Sequence, residues 1–232
     1  GRNPDPYFLN HWRSAAQPGV QRGIILRYRP GIRSQDLVSL VNRQLAGSGG
    51  VGNPAFRLGL ADFAGIPAWL HGAELGLDLP IAVLVDDLQN TDTQTVLLEL
   101  SELLQTLDKI YGPPPLIYTS ASIWNQLSSL DITQAVLPVT SADLALAYPL
   151  MVIDTTSPDN PSLHSGWFNW TIWEFSTEKG NDPNQADPNH PLLRFNGSRE
   201  SLLNLAQNLS TGSPLALGRL ARLQDVASGA QS

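Results

Sequence analysis

The sequence predicts an α/β fold, either a barrel or an open sheet, built mainly of parallel strands. The first observation is that segments typical of strands alternate with segments typical of helices through the first two thirds of the chain. The second is that strand segments follow one another more closely towards the end. The third is the composition: 232 residues, 42% hydrophobic and 15% charged, contain enough apolar material for a sizeable core.

Strands are predicted where apolar runs or alternating apolar residues stand between Gly, Pro and polar clusters. The predicted strands cover residues 23–28, 80–86, 113–120, 144–156, 168–176 and 192–198. Helices are predicted where apolar residues recur at helical spacing. They cover residues 5–16, 33–45, 93–111, 122–127 and 198–209. Ser34 suits the N-cap of the second helix, and Gly112 ends the third.

Residues 1–209 are predicted to form one domain, with an irregular, glycine-rich insertion around 46–79. Residues 210–232 are rich in Gly and Ser and are predicted to be a flexible C-terminal tail. No apolar run reaches the ~18 residues that a membrane-spanning helix needs.

Charge and composition also narrow the classes of function. The net charge of -7 gives no electrostatic footprint for nucleic acid. The absence of cysteine excludes disulfides, thiolate metal sites and cysteine nucleophiles. The four histidines, His11, His71, His164 and His190, have no metal-type spacing, so neither a metal nor a cofactor is expected.

The strand over 80–86 ends in acids and amides. Side chains two apart on a strand point the same way, so Asp87 and Gln89 are predicted to share one direction while Asp86 faces the other. A pair of carboxyl groups there could flank a glycosidic bond, although Gln89 could not donate a catalytic proton. The alternative is that the acids end the strand in order to cap the next helix.

Aromatic residues give a second indication of a sugar site. Sugar rings have apolar faces that stack on aromatic side chains, so a rim rich in tryptophan suits a glycan-binding cleft. The alternative for each of these residues is packing in the core. The candidates are Tyr118, Trp124, Trp167, Trp170 and Trp173.

Taken in order, five segments give the chain a resemblance to the family 25 glycoside hydrolases, which are lysozymes (muramidases). The segments are DPYFLNHWRSAAQPGVQRGIILRY, PIAVLVDDLQN, GPPPLIYTS, NWTIWEFS and RFNGSRESLLNLA, over roughly residues 3–207. The resemblance implies an irregular TIM-like β/α barrel with a cleft for peptidoglycan-type glycan. It also implies that the first two strands of the barrel are missing here or are replaced by something else. Missing strands would leave an open barrel edge, which we expect an N-terminal segment or a neighbouring chain to cover.

The departures from the family pattern concern its catalytic residues. The Asp-x-Glu motif of the family corresponds to Asp87-Leu88-Gln89, so Gln89 replaces the acid. A late Asp-x-Asn corresponds to Asp187-Pro188-Asn189 if an insertion precedes Phe195. Glu174 stands where the family has Gln. Losing a general acid costs ~10²–10⁴-fold in rate, so the resemblance implies degenerate catalysis.

The leading hypothesis is therefore a catalytically degenerate lysozyme-like domain, at the cell surface or outside the cell, that binds glycan or serves as a scaffold among protein neighbours. The degenerate catalytic set comprises Asp86, Asp87 and Gln89, and the substrate-binding set comprises Tyr118, Trp173, Glu174, Asp154 and Asp187. One alternative is an active peptidoglycan glycosidase that uses Asp86 or Asp87 with Asp154 or Glu174. Another is an unrelated barrel-type interaction protein.

Overall fold

The structure is a computed structural model that describes residues 6–14, 22–47, 79–111, 114–129, 139–176 and 192–207. The strands are β1 (Ile25–Arg27), β2 (Ala82–Val85), β3 (Leu116–Ser120), β4 (Leu150–Ile153), β5 (Ile172–Ser176) and β6 (Leu192–Phe195). The helices are α1 (Phe8–Ser14), α2 (Ser34–Gly47), α3 (Thr93–Tyr111), α4 (Ala121–Ser128), α5 (Ser141–Ala147) and α6 (Arg199–Gln207).

The six strands form one sheet in the order of the chain, as an α/β barrel requires. Strands β1 to β5 are parallel, and β6 returns antiparallel to β5. Within the described residues β1 and β6 do not pair, so the sheet is not closed. The architecture is therefore an irregular, open TIM-like β/α barrel, and the predicted fold class is confirmed.

Helices cover the outer side of the sheet. Helix α3 begins after Asp92, whose carboxylate accepts a hydrogen bond from the Thr95 backbone N–H at 2.9 Å. Its apolar residues recur every three or four positions, so they form one stripe that packs against α2 and belongs to the same buried cluster as the outer side of β2. The buried stripe consists of Val96, Leu97, Leu100, Leu103, Leu104, Leu107 and Tyr111.

The inner face of the sheet carries a second, smaller apolar cluster and arranges its side chains in rows. Strand register places one residue of each strand at the same height. We call this set the middle row: Arg27, Leu84, Tyr118, Met151, Ile172 and Phe195. Two residues further along each strand, nearer the carboxyl ends, lies the upper row: Asp86, Ser120, Ile153 and Glu174.

Two predicted strands begin at least four residues later in the structure than expected. The segment predicted as a strand over 144–156 begins as helix α5, because Thr140 and Asp143 form a capping box that starts a helix at Ser141. The strand predicted over 168–176 begins only at Ile172. Phe168 precedes it and is 91% exposed.

The predicted domain bounds remain a prediction. Nearly all of the insertion around 46–79 and the whole tail over 210–232 lie outside the described residues. Helix α6 ends at Gln207, close to the expected end of the barrel domain at 209.

Candidate functional site

The candidate site is the upper row, where side chains from four parallel strands meet at their carboxyl ends. In β/α barrels this end of the sheet is where the chemistry takes place, because the loops that follow the strands surround it. The row contains two carboxylates, Asp86 after β2 and Glu174 on β5, with Ser120 and Ile153 between them. Ser120 also caps α4, since its hydroxyl accepts from the Ile123 N–H.

Asp86 forms an ion pair with Arg27 of the neighbouring strand. Arg27 Nε donates to Asp86 Oδ1 at 2.9 Å, and Arg27 Nη2 donates to Asp86 Oδ2. The side chains are 52% and 25% exposed, respectively, so the pair faces solvent at the β1 end of the inner face. The hydrogen bonds that Arg27 donates to Asp86 raise the pKa of Arg27 above its ordinary value, although burial opposes this shift.

Glu174 lies in a different environment at the other end of the row. It is 6% exposed, and the hydroxyl of Tyr118 donates a hydrogen bond to its Oε2. Tyr118 stands one row lower on β3 and is itself 4% exposed. Burial raises the pKa of Glu174, because a charged carboxylate is costly where water is excluded.

Asp87 and Gln89 do not share a direction along a strand as predicted. Strand β2 ends at Val85, and both Gln89 and Asn90 have positive φ angles, 50° and 56°. Asp87 Oδ1 accepts from the Gln89 backbone N–H at 2.9 Å, which closes a turn. Strand alternation therefore stops before Asp87, and Asp86 is the carboxylate that continues the inner face.

Asp154 organises the loop that follows β4. It accepts hydrogen bonds from the Thr156 hydroxyl at 2.8 Å, the Ser157 hydroxyl at 2.6 Å and the Ser162 N–H at 2.8 Å. Burial alone would raise the pKa of Asp154, but these hydrogen bonds together hold it well below its ordinary value. The carboxylate thus fixes the wall of the site and has its acceptor oxygens occupied by its own loop.

The predicted tryptophan rim is not on the inner face. Trp124, Trp167 and Trp173 are all buried in the cluster that packs against the helices, as the core alternative predicts. Trp173 supports the site from behind, because its Nε1 donates to the Asp154 backbone carbonyl at 2.7 Å. Trp170 is half-buried and packs edge-on against Trp173. Of the predicted aromatic residues, Tyr118 is the one that belongs to the inner face.

Arg27 is the residue at this site that the sequence analysis missed. The signal was present in ILRYR, where Ile25, Arg27 and Arg29 alternate with buried Leu26 and Tyr28. That alternation places a cation on the inner face, next to the strand that ends in acids. The last predicted site residue, Asp187, lies outside the described residues.

A groove of about 400 Å³ lies at the opposite, amino-terminal end of the sheet. Pro114, Leu146, Pro149 and the exposed Phe168 line part of it. It is separate from the upper row, because these residues stand before β3, β4 and β5 rather than after them. Among the residues that the structure describes, none that lines the groove carries a charge.

The described part of the chain contains no group of three His, Asp or Glu side chains placed to hold a metal ion. His164, for example, is buried with its Nε2 3.1 Å from the Thr119 carbonyl oxygen, which is a structural contact. None of the described helices combines the length and apolar character needed to cross a bilayer.

These features define the class of protein: an open β/α barrel with two carboxylates of unlike environment at the carboxyl ends of its strands. No protein-family model and no curated protein matches the chain. The fold therefore has to be identified by comparison with solved structures.

That comparison identifies the fold as the one found in family 25 lysozymes, as the resemblance implied. The muramidase from Trichobolus zukalii is 18% identical with a TM-score of 0.62, covering 90% of this chain and 84% of its own. The muramidase from Acremonium alcalophilum is 19% identical with a TM-score of 0.60, covering 89% and 82%. A family 25 glycosyl hydrolase from Bacillus anthracis is 16% identical with a TM-score of 0.60, covering 89% and 78%.

Proposed function

We propose that the chain is a lysozyme-like domain that binds a peptidoglycan-type glycan across the upper row without hydrolysing it. The observation that carries this proposal is that the carboxylate at each strand end is already engaged. Asp86 is paired with Arg27, and Glu174 is buried against Tyr118. A glycosidase of this type needs one carboxyl group to donate a proton and another to attack or to activate water.

The other two strand-end carboxylates bind their own backbone. Asp87 closes the turn at Gln89 and lies 3.5 Å from Arg29, while Asp154 holds the loop after β4. Neither is free to act on a ligand unless its loop rearranges. This is the pattern expected of a barrel in which the strand-end acids serve the structure.

The nature of the ligand is inferred from the proteins that share the fold. Two of them are named as muramidases, and a muramidase acts on peptidoglycan strands. We therefore infer a peptidoglycan-type glycan as the ligand and a position at the cell surface or outside the cell. If no glycan binds, we propose instead that the domain serves as a scaffold among protein neighbours.

The experiment combines binding and turnover on the same material. Purified peptidoglycan is incubated with the chain, the bound fraction is measured by sedimentation, and the turbidity of the suspension is followed. We expect sedimentation with the glycan and constant turbidity. Gln89→Glu should leave turbidity constant as well, because Gln89 lies in the turn after β2. If the folded native chain stays in the supernatant when the peptidoglycan sediments, glycan binding is contradicted.

One observation favours an active glycosidase as the second candidate. Burial raises the pKa of Glu174, which is the property of a general acid, and Asp86 stands in the same row as the remaining carboxylate. In that case the native chain clears peptidoglycan, and both Glu174→Gln and Asp86→Asn abolish clearing while the chain stays folded. The matched control is Glu102→Gln on the exposed side of α3, which should clear like the native chain.

A further inference from the structure

A turn at residues 164–167, in the loop between β4 and β5, inserts two rings into the core on the outer side of the sheet. The His164 carbonyl accepts from the Trp167 backbone N–H at 3.3 Å, which closes the turn. The two side chains are 3% and 8% exposed, and their rings meet edge to face. Gly166 has a φ of 94°, and a Cβ there would lie 2.7 Å from the Ala145 Cβ. The turn therefore fits closely against α5.

Neutral hydrogen bonds hold the turn in place at two tryptophans. Trp167 Nε1 donates to the Tyr148 carbonyl at 2.9 Å, and Trp124 Nε1 donates to the Ser165 carbonyl at 2.9 Å. The rings of Trp124 and Trp167 pack with their centroids 4.4 Å apart. Indole and carbonyl groups keep the same charge near neutral pH, so these bonds alone do not respond to acid.

His164 is the group in the turn whose charge can change near neutral pH. Its Nε2 lies 3.1 Å from the Thr119 carbonyl oxygen, and since a carbonyl only accepts, Nε2 carries the proton. In the neutral ring Nδ1 is therefore bare. Nδ1 is buried and has no hydrogen-bond partner among the described residues. A proton added to Nδ1 would make it a buried donor without an acceptor, on a charged ring.

The carboxylates around the turn do not supply that acceptor. Asp143 of α5 binds Thr140, and Asp159 is exposed to water. Asp154 acts on His164 through its charge alone, because its oxygens bind its own loop. In the described structure β3, β4 and α4 contain no acidic residue. An imidazolium in this place would have no direct counter-ion.

The direction of the pH effect follows from this environment. Burial lowers the pKa of His164 below its ordinary 6.5, although the hydrogen bond to Thr119 and the charge of Asp154 oppose the shift. A ring that has left the core regains its ordinary pKa. The closed turn therefore has its full stability above about pH 6.5 and loses stability as the pH falls towards the lowered pKa.

We propose that His164 is an acid-sensitive latch, which holds the 164–167 turn in the core while it is neutral and releases the turn when Nδ1 is protonated. The release is confined to this part of the loop, because Asp154 stays charged over the same pH range and still binds Thr156 and Ser162. Release exposes the ring of Trp167, which already lines the apolar groove at the amino-terminal end of the sheet. The inference does not depend on the ligand proposed for the upper row.

The test follows native-state hydrogen exchange of the whole chain by NMR from about pH 4.5 to about pH 7.5, corrected for the intrinsic exchange rate. The probes of the turn are the indole N–H groups of Trp124 and Trp167. The reference probes are the backbone N–H groups of Thr156 and Ser162, which Asp154 binds. The opening constant of the turn should rise up to about tenfold for each pH unit below about 6.5, the value for uptake of one proton, while the reference probes stay constant.

Two variants and one titration sharpen the test. His164→Gln keeps an N–H that can donate to the Thr119 carbonyl but cannot take up a proton, so its turn should open equally at every pH. His11→Gln removes an exposed imidazole on α1 and should keep the native pH dependence. In the native chain, the His164 ring itself should titrate below 6.5, in step with the opening of the turn.

The outcomes decide the inference without reference to glycan binding. Turn probes that open equally at the two ends of the pH range overturn it, and so does a pH dependence that survives His164→Gln. A His164 ring that titrates while the turn stays closed overturns it as well. If the reference probes open together with the turn, the whole loop unfolds and a local latch is wrong. If His164→Gln does not fold, the ring titration and the exchange of the native chain still decide.

Discussion

The two ends of the upper row hold the same functional group in opposite conditions. Asp86 lies in a solvent-facing ion pair with Arg27, whereas Glu174 is buried and bonded to the neutral hydroxyl of Tyr118. Water screens the first carboxylate and is excluded from the second. Two carboxylates in one row of a sheet thus differ in their partners and in their exposure to water: Asp86 pairs with a cation in solvent, and Glu174 accepts from a neutral hydroxyl in the interior.

The largest effect on stability is expected when Glu174, at the buried end of the row, loses the hydroxyl that donates to it. Tyr118→Phe leaves the Glu174 carboxyl group buried without its donor, so the free energy of unfolding should fall by about 1–3 kcal/mol. Urea denaturation measures this change. Tyr28→Phe is the matched control, because Glu99 also accepts from a tyrosine but keeps the Gly31 N–H at 2.9 Å and should lose less. If Tyr118→Phe and Tyr28→Phe lose equal free energy of unfolding, the buried position of Glu174 makes no difference to the strength of its hydrogen bond.

The pH dependence of stability should separate the two ends next. The native pKa of Glu174 is raised above its ordinary 4.5, so its stabilising contribution is present below that value. It is lost as pH rises through the raised native pKa. Unfolding of the native chain and of Glu174→Gln, compared from about pH 4 to about pH 8, should therefore favour the variant increasingly at higher pH. If the stabilities of the two proteins change with pH in parallel, burial does not raise the pKa of Glu174.

A smaller effect on stability is expected at the exposed end. Arg27→Gln breaks an ion pair whose arginine is half exposed, and such pairs contribute about 0–1 kcal/mol. The loss should shrink as salt is added, because mobile ions screen exposed charges. Thermal unfolding at low and high salt measures both quantities. A loss as large as that of Tyr118→Phe would mean that the pair is part of the folded core.

The smallest effect on stability is expected in the turn after β2, which carries Asp87 and Gln89. Gln89 has a φ of 50°, which costs a residue with a side chain about 1–2 kcal/mol. Gln89→Gly relieves this strain but adds about 0.4–1 kcal/mol of chain entropy to the unfolded state, so a net gain of about 0.5 kcal/mol is expected. Asn90→Gly should gain less, because Asn tolerates this conformation. Chemical denaturation of both variants gives the comparison, and a loss of stability in Gln89→Gly would show that its side chain is needed.

The sequence predicted all six described strands and their order, because apolar alternation between Gly and Pro boundaries is a local property. The predicted β2 ended one residue too late. Extending the alternation of side chains past that end gave Asp87 and Gln89 a common direction, whereas in the structure Asp86 is the residue that continues the inner face. The helix α5 was missed, although the TSAD segment at 140–143 contains the residues of a capping box.

Other parts of the site could not be predicted from local patterns. The bond between Tyr118 and Glu174 joins residues 56 positions apart and depends on the register of three strands. The positive φ angles at Gln89 and Asn90 follow from how the chain turns into α3, and neither residue type requires them. Long-range register and backbone strain are properties of the folded sheet.

The open sheet has a mechanical consequence for the site. In a closed barrel, the distance between opposite strands is fixed twice, once along each half of the ring. Here, within the described residues, β2 and β5 are joined only through β3 and β4, so the gap between Asp86 and Glu174 depends on how strongly those two strands curve. The spacing of these two carboxylates is therefore set by the bending of the central strands β3 and β4.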